Sequence, residues 1–261
     1  MRVGWLIEST TWGPTTRAVA VLGPGSTHVD GVVLGHRSPE DNVLLDYEKI
    51  PYIHAGCCGD DSMEAHLARL DVDVLVADMC WRNLAAADGR PHIVMGMHGA
   101  GMWDLDSMPL HPWAWQQFGR RIEIRALFGA PPDVPVVAFM SNATRERVIE
   151  NALEEHVPEG AISVSLTGPF VARQFVGADL VVTSAGWGSA WEARWSGVAY
   201  VLVDVGGPDQ PQRATHTWEQ AAEAIAQVTV ADLPPDHVPE RVDHVSEFAH
   251  VLDLLAEGAL T

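Results

Sequence analysis

Short runs rich in valine and isoleucine alternate along this chain with longer amphipathic stretches. An apolar run without polar alternation suits a strand covered on both faces, and a helix between two such runs returns the chain so that the next strand lies parallel to the last. Strands are expected at Val3–Glu8, Val29–Leu34, Tyr52–His54, Val72–Asp78, Ile93–Met97, Val134–Met140, Ala161–Leu166, Leu180–Thr183 and Val198–Val203. Helices are expected at Thr15–Leu22, Asp41–Lys49, Asp61–Leu70, Met79–Ala87, Pro112–Phe128, Asn142–His156, Phe170–Val176, Ser189–Ser196 and Thr217–Val228.

The stretch Gly129-Ala130-Pro131-Pro132-Asp133 breaks the pattern and reads as a linker. It divides the chain into two α/β halves, residues 1–130 and 131–261. The last expected helix, Val242–Glu257, is apolar at Val245, Phe248, Val251, Leu252 and Leu255 and is expected to return to the first half.

Charge excludes whole classes of partner. With 35 Asp and Glu against 16 Lys and Arg the formal net charge is −19, and lysine occurs once, at Lys49. Nucleic acids and anionic membranes are held by clustered cations that this chain lacks. No apolar run approaches the ~18 residues of a membrane span, and the amino terminus is charged again at Glu8, too early for a secretory signal. A cytoplasmic protein is expected. Cys57, Cys58 and Cys80 lack CxxC spacing; they read as reduced thiols, and the alternative is a metal site shared with His54.

In doubly wound sheets ligands sit beyond the carboxyl ends of the strands, where helix starts offer backbone amides to anions. The loop after Leu180–Thr183 has that character, with Gly186 and Gly188 ahead of a helix expected to open at Ser189. Thr183-Ser184-Ala185-Gly186-Trp187-Gly188-Ser189-Ala190-Trp191-Glu192 resembles the HCGWNSxxE core of plant-type UDP-glycosyltransferases and the SGAxTxxE loop of MurG-like enzymes. Asp209-Gln210-Pro211-Gln212-Arg213-Ala214 resembles their DQxxNA segment. The resemblance implies the GT-B fold, two Rossmann-like domains whose parallel sheets face across a cleft. The first half would be the acceptor side and the second would bind the nucleotide sugar.

Carried over by position, the resemblance implies that Gly186, Trp187, Gly188 and Ser189 hold the donor diphosphate. Glu192 would bind the ribose, and Asp209 and Gln210 the sugar hydroxyls. Glu192 has a second reading, as the far end of a capping box begun by Ser189. Ser184 stands where the plant pattern has histidine and Gly188 where it has asparagine. Arg213 replaces an asparagine, as either a phosphate contact or a surface charge. Ser141 and Asn142 open a second anion-friendly helix start, with Asn142 as an ordinary N-cap the alternative. Trp187, Trp191 and Trp195 recur every four residues; core packing is expected of the last two.

The segment WGPTTRAVAVL is similar to the family's GHxxRxxAL, but Pro14 and Thr15 replace the histidine that serves these enzymes as general base. A base must reach the acceptor hydroxyl from a strand end, which leaves His98, Glu8 and Asp78, with His54 beyond them. Asp78 is alternatively a cap for the helix after it. The implied activity is glycosyl transfer from a nucleotide diphosphate sugar to a small-molecule acceptor, with no metal and no cofactor besides the donor. Self-association into a homodimer is left open. Two alternatives stand beside transfer: hydrolysis of the nucleotide sugar, with water as acceptor, and a non-catalytic nucleotide-sugar-binding protein. No GxGxxG follows the first strand, which argues against a Rossmann dehydrogenase.

Overall fold

The structure, a computed structural model, describes the chain except residues 9–11, 24–28, 37–44, 47–48, 55–60, 79–87, 96–118, 141–146, 168–170, 207–209, 212, 240–243 and 260–261. It forms two compact units, Met1–Gln116 with Arg241–Thr261, and Gln117–Glu240.

The first unit holds a five-stranded parallel sheet in the order β3-β2-β1-β4-β5, built from β1 (Arg2–Glu8), β2 (Asp30–His36), β3 (Tyr52–His54), β4 (Val74–Asp78) and β5 (His92–Met95). This order, reversing direction at β1, is that of one half of a doubly wound nucleotide-binding fold. Every residue of β4 is buried, as expected of a Val-rich run without alternation. Helix α1 (Trp12–Leu22) follows β1, and α2 (Asp61–Leu67) precedes β4. Leu6, Val32, Leu34, Leu67, Leu75 and Ala77 form one apolar cluster.

The last helix, His244–Ala256, belongs to this unit and contacts α1 and β4. Val245, Phe248 and Leu252 are buried at the three- and four-residue spacing that marks one helix face, and the Phe248 ring lies 6.0 Å from that of Trp5 on β1.

The second unit carries a four-stranded parallel sheet, order β7-β6-β8-β9, from β6 (Val136–Met140), β7 (Ile162–Leu166), β8 (Leu180–Ser184) and β9 (Ala199–Val203). Both inner strands are buried at every position. Helices α3 (Arg121–Leu127), α4 (Val148–Leu153), α5 (Trp187–Trp195) and α6 (Trp218–Ala226) accompany them. We number the final helix, His244–Ala256, α7.

The expected linker at 129–133 lies inside this unit. Arg125 fastens it: one guanidinium nitrogen donates to the Pro131 carbonyl at 2.8 Å and also to that of Val134. The expected helix at Phe170–Val176 is a 3-10 helix over Val171–Gly177, and the one at Asn142–His156 is α4 followed by a 3-10 turn at Glu154–His156. Met79–Ala87 falls outside the described residues.

Candidate functional site

The carboxyl end of β8 leads directly into α5, and the helix starts two residues earlier than the sequence pattern suggests. Gly186 is its N-cap (φ −62°, ψ 149°) and Trp187 its first residue; no side chain caps it. The first bond into the cap runs from the Ala190 amide to the Gly186 carbonyl at 2.9 Å. The amides of Trp187, Gly188 and Ser189 therefore precede the helical ladder and have no intrahelical acceptor.

This start removes the capping-box reading of Glu192. Ser189 sits inside the first turn rather than at the cap, so the Ser189–Glu192 spacing no longer spans cap to third residue. A capping box does form at α6, where the Gln220 amide donates to Thr217 Oγ1 and the Thr217 amide to Gln220 Oε1, at 3.3 and 2.9 Å.

Neither glycine of the turn is demanded by the protein itself. Both avoid positive φ. A Cβ added at Gly188 would meet nothing within 4 Å, and one at Gly186 only Ser184 Oγ at 3.5 Å and Ser189 Oγ at 3.9 Å. A glycine inside a helix costs about 1 kcal/mol relative to alanine, so this residue choice leaves open space over bare amides at a cost in stability. Ser184 is 2 % exposed, and among the described residues its hydroxyl makes no hydrogen bond. That oxygen keeps some access to solvent and faces the cap residue.

The DQxxNA-like segment closes on the same turn. Gln210 Oε1 accepts from the Val205 amide at 2.8 Å, and the Gln210 carbonyl accepts from the Arg213 and Ala214 amides at 3.0 and 2.8 Å. One half of the Gln210 amide is thus occupied within the loop and its NH2 group is left over. Arg213 donates through Nε to the Ala185 carbonyl at 3.1 Å, one residue before the cap. Asp209, Ser141 and Asn142 lie outside the described residues. Trp191 and Trp195 are half-buried rather than core: their rings lie 5.2 Å apart at 47°, and the Arg194 guanidinium sits 5.2 Å from the Trp191 ring.

At the strand ends of the first unit, Asp78 is wholly buried. Its Oδ1 accepts from Arg17 at 2.6 Å, and Oδ2 accepts from Arg17 Nε at 2.9 Å and from Trp5 Nε1 at 3.2 Å. A carboxylate held on both oxygens by a guanidinium and closed to solvent serves as an ion-pair partner, and here Asp78 ties α1 to the sheet. Glu8 ends β1 opposite His36, and His54 ends β3 and is exposed. His98, Cys57, Cys58 and Cys80 lie outside the described residues. Among the described residues no three His, Cys, Asp or Glu side chains gather as a metal site, and no helix is long and apolar enough to cross a membrane.

One cluster has no counterpart in the sequence-based expectations. Asp179, just ahead of β8, accepts from Arg121 and, at 2.9 Å, from Arg125, both on α3, and from the Val136 and Ala231 amides, each at 2.8 Å. Burial pulls the Arg121 guanidinium below its ordinary pKa, against the Asp179 carboxylate, which pulls it up. The signal available in sequence was two arginines four apart on a short helix whose remaining residues, apart from Glu123, are apolar.

Known structures match the chain along nearly its whole length. Arabidopsis thaliana UGT89C1 complexed with quercetin aligns at TM-score 0.60 and 12% identity over 96% of this chain and 99% of that one. Acinetobacter baumannii MurG aligns at 0.56 and 15% over 98% and 99%, and the Streptomyces sp. SF2575 glycosyltransferase SsfS6, complexed with thymidine diphosphate, at 0.54 and 10% over 99% and 96%. No family model and no curated protein sequence matches the chain. The likeness is one of architecture: this is a GT-B fold, with a parallel, Rossmann-like sheet in each of two units.

Proposed function

We propose that the chain binds a nucleoside diphosphate sugar at the β8–α5 turn and transfers its glycosyl group to a small-molecule acceptor. The observation that carries the reading is the uncapped α5 start, where two glycines leave room that the chain's own packing does not use and the Ser184 hydroxyl makes no hydrogen bond among the described residues. Amides at a helix start carry a partial positive charge and favour the negative charge that grows on a diphosphate as the bond from the sugar's anomeric carbon to the phosphate oxygen breaks. Structures of similar fold include one complexed with thymidine diphosphate and one with quercetin. In this reading Trp187, Gly188 and Ser189 offer amides to the diphosphate, Glu192 takes the ribose hydroxyls, and Gln210, with Asp209, takes the sugar. Ser141 and Asn142 form the neighbouring anion contact. No metal is needed to neutralise the leaving group.

The acceptor hydroxyl must lose its proton as its oxygen bonds to the anomeric carbon. With Asp78 held in its ion pair, we assign the base to Glu8 or His98. The same ion pair favours a second reading, binding of the nucleotide sugar without transfer, because one of the strand-end carboxylates is withdrawn from chemistry.

A thermal-shift series with UDP, GDP, dTDP, CMP and NAD tests the site, since a ligand that binds only the folded state raises the midpoint. A selective rise with one nucleoside diphosphate is expected, and no rise with any of them overturns the reading. Glu192→Ala should then weaken that diphosphate's binding far more than it lowers the apo midpoint. Sugar release into water alone identifies a hydrolase, and binding with neither transfer nor hydrolysis identifies the second reading.

A further inference from the structure

Every basic residue of this chain but Lys49 and the histidines is an arginine, and the most buried of them are paired with carboxylates. Arg17, Arg90, Arg121 and Arg125 are buried or half-buried, and each faces a carboxylate: Asp78, Asp88, and Asp179 for the last two. Arg213 is half-buried as well, in a chain where acids outnumber bases 35 to 16, yet among the described residues it has no carboxylate partner. Among the described residues its one side-chain hydrogen bond is the Nε–H to the Ala185 carbonyl.

That single bond decides where the charge sits. Ala185 lies between Ser184, whose hydroxyl makes no hydrogen bond among the described residues, and Gly186, the bare cap of α5. Tethered by Nε, the guanidinium has no other partner among the described residues for its two terminal NH2 groups, beside a helix start where glycines hold space open. A guanidinium in that state offers paired donors matched to phosphate oxygens. The site needs one: a helix start supplies roughly half a positive charge, whereas a diphosphate brings several negative ones into a chain of net charge −19.

We propose that Arg213 is the cation of the diphosphate site, its Nε–H fixing it to the Ala185 carbonyl and its two NH2 groups binding diphosphate oxygens. This rests on the nucleoside diphosphate reading of the β8–α5 turn. Arg213 makes the site selective for two phosphates over one, because the amides and hydroxyls suffice for a single phosphate and the full charge is required by the second.

Calorimetric titration of the full chain with UDP, UMP, uridine and inorganic pyrophosphate tests this, comparing wild type with Arg213→Ala and Arg213→Lys. Arg213→Ala should lose about 10- to 100-fold in affinity for UDP and pyrophosphate, the range of charged hydrogen bonds, and less than about 3-fold for UMP and uridine. Its apo melting point should stay within about 2 °C of wild type, because no buried carboxylate is orphaned. Arg213→Lys should recover part of the loss, keeping the charge without the fork.

Unchanged UDP and pyrophosphate affinity in Arg213→Ala overturns the proposal and leaves the site standing. An equal loss for UDP, UMP and uridine, or a large fall in apo melting point, also overturns it, since Arg213 then only shapes the loop. If wild type binds neither pyrophosphate nor any nucleoside diphosphate, the site itself falls and the proposal with it.

Discussion

At the amino end of β8 the Asp179 carboxylate gathers two arginines and two backbone amides, while at the carboxyl end of the same strand the Ser184 hydroxyl, the first α5 amides and the Arg213 NH2 groups find no hydrogen-bond partner among the described residues. Both ends bring an arginine to a strand terminus. At one, two guanidiniums are buried against a single carboxylate and several backbone carbonyls, and they lock α3, the strand and the loop at Pro131 together. At the other, the charge is tethered but unpaired. Buried charges are ordinarily paired and hydrogen-bonded, and a half-buried guanidinium with no carboxylate partner among the described residues departs from that rule.

The largest effect should come from breaking the closed end. Asp179→Ala leaves two buried guanidiniums without a counter-charge and should cost about 3–5 kcal/mol, lowering Tm by roughly 10 °C or more. A urea titration showing less than about 1 kcal/mol would end the view of Asp179 as the strand's structural lock. Asp78→Ala in the first unit follows the same logic through Arg17 and should cost about 3 kcal/mol. Were Asp78 the catalytic base instead, Asp78→Asn would abolish turnover and leave the melting curve in place.

Gly188→Ala addresses the open end and should show opposite signs in two readouts. The added methyl meets no atom of the protein and favours helix, so stability should rise by up to about 1 kcal/mol. Binding of the nucleoside diphosphate should weaken, because the methyl enters the space over the amides; unaltered affinity would place the ligand elsewhere.

The smallest effect is expected at Glu123, exposed on α3. The Arg120 side chain, at 2.6 and 2.9 Å, and next the Arg120 amide, at 2.9 Å, hold its pKa below the ordinary 4.5. A carboxylate whose folded pKa is depressed stabilises the fold above its unfolded pKa and loses that contribution as pH falls through the folded value. Glu123→Gln should therefore slightly reduce the difference between urea midpoints at pH 7 and pH 3. An identical difference in both proteins would show that the pair is fully screened by solvent.

The strands were legible because parallel sheets bury both faces, which leaves a purely local mark: Leu180-Val181-Val182 needs no knowledge of its neighbours to read as interior. The apolar stripe of α7 was legible for the same reason, with Val245, Phe248 and Leu252 all buried. Helix starts were read less well. Ser189 is a good cap in isolation, but the chain leaves β8 at a point that puts Gly186 there, and a glycine cap has no side chain to announce it. Trp191 and Trp195 carried the spacing of a core face but lie half-exposed, because spacing gives a face without saying whether another element covers it.

Sequence alone determined the alternation that makes two parallel α/β units, and it located the glycine-bearing turn after the strand ending in Thr183-Ser184. What tertiary structure decided was which charges are consumed. Asp78 finds Arg17 across 61 residues and Asp179 finds Arg125 across 54, while the Arg213 side chain, among the described residues, finds only a carbonyl. Periodicity is a property of neighbours along the chain, but the neutralisation of a charge depends on which distant segment the fold brings to it. The same residue types therefore read alike in sequence and act as a lock at one end of a strand and an open hand at the other.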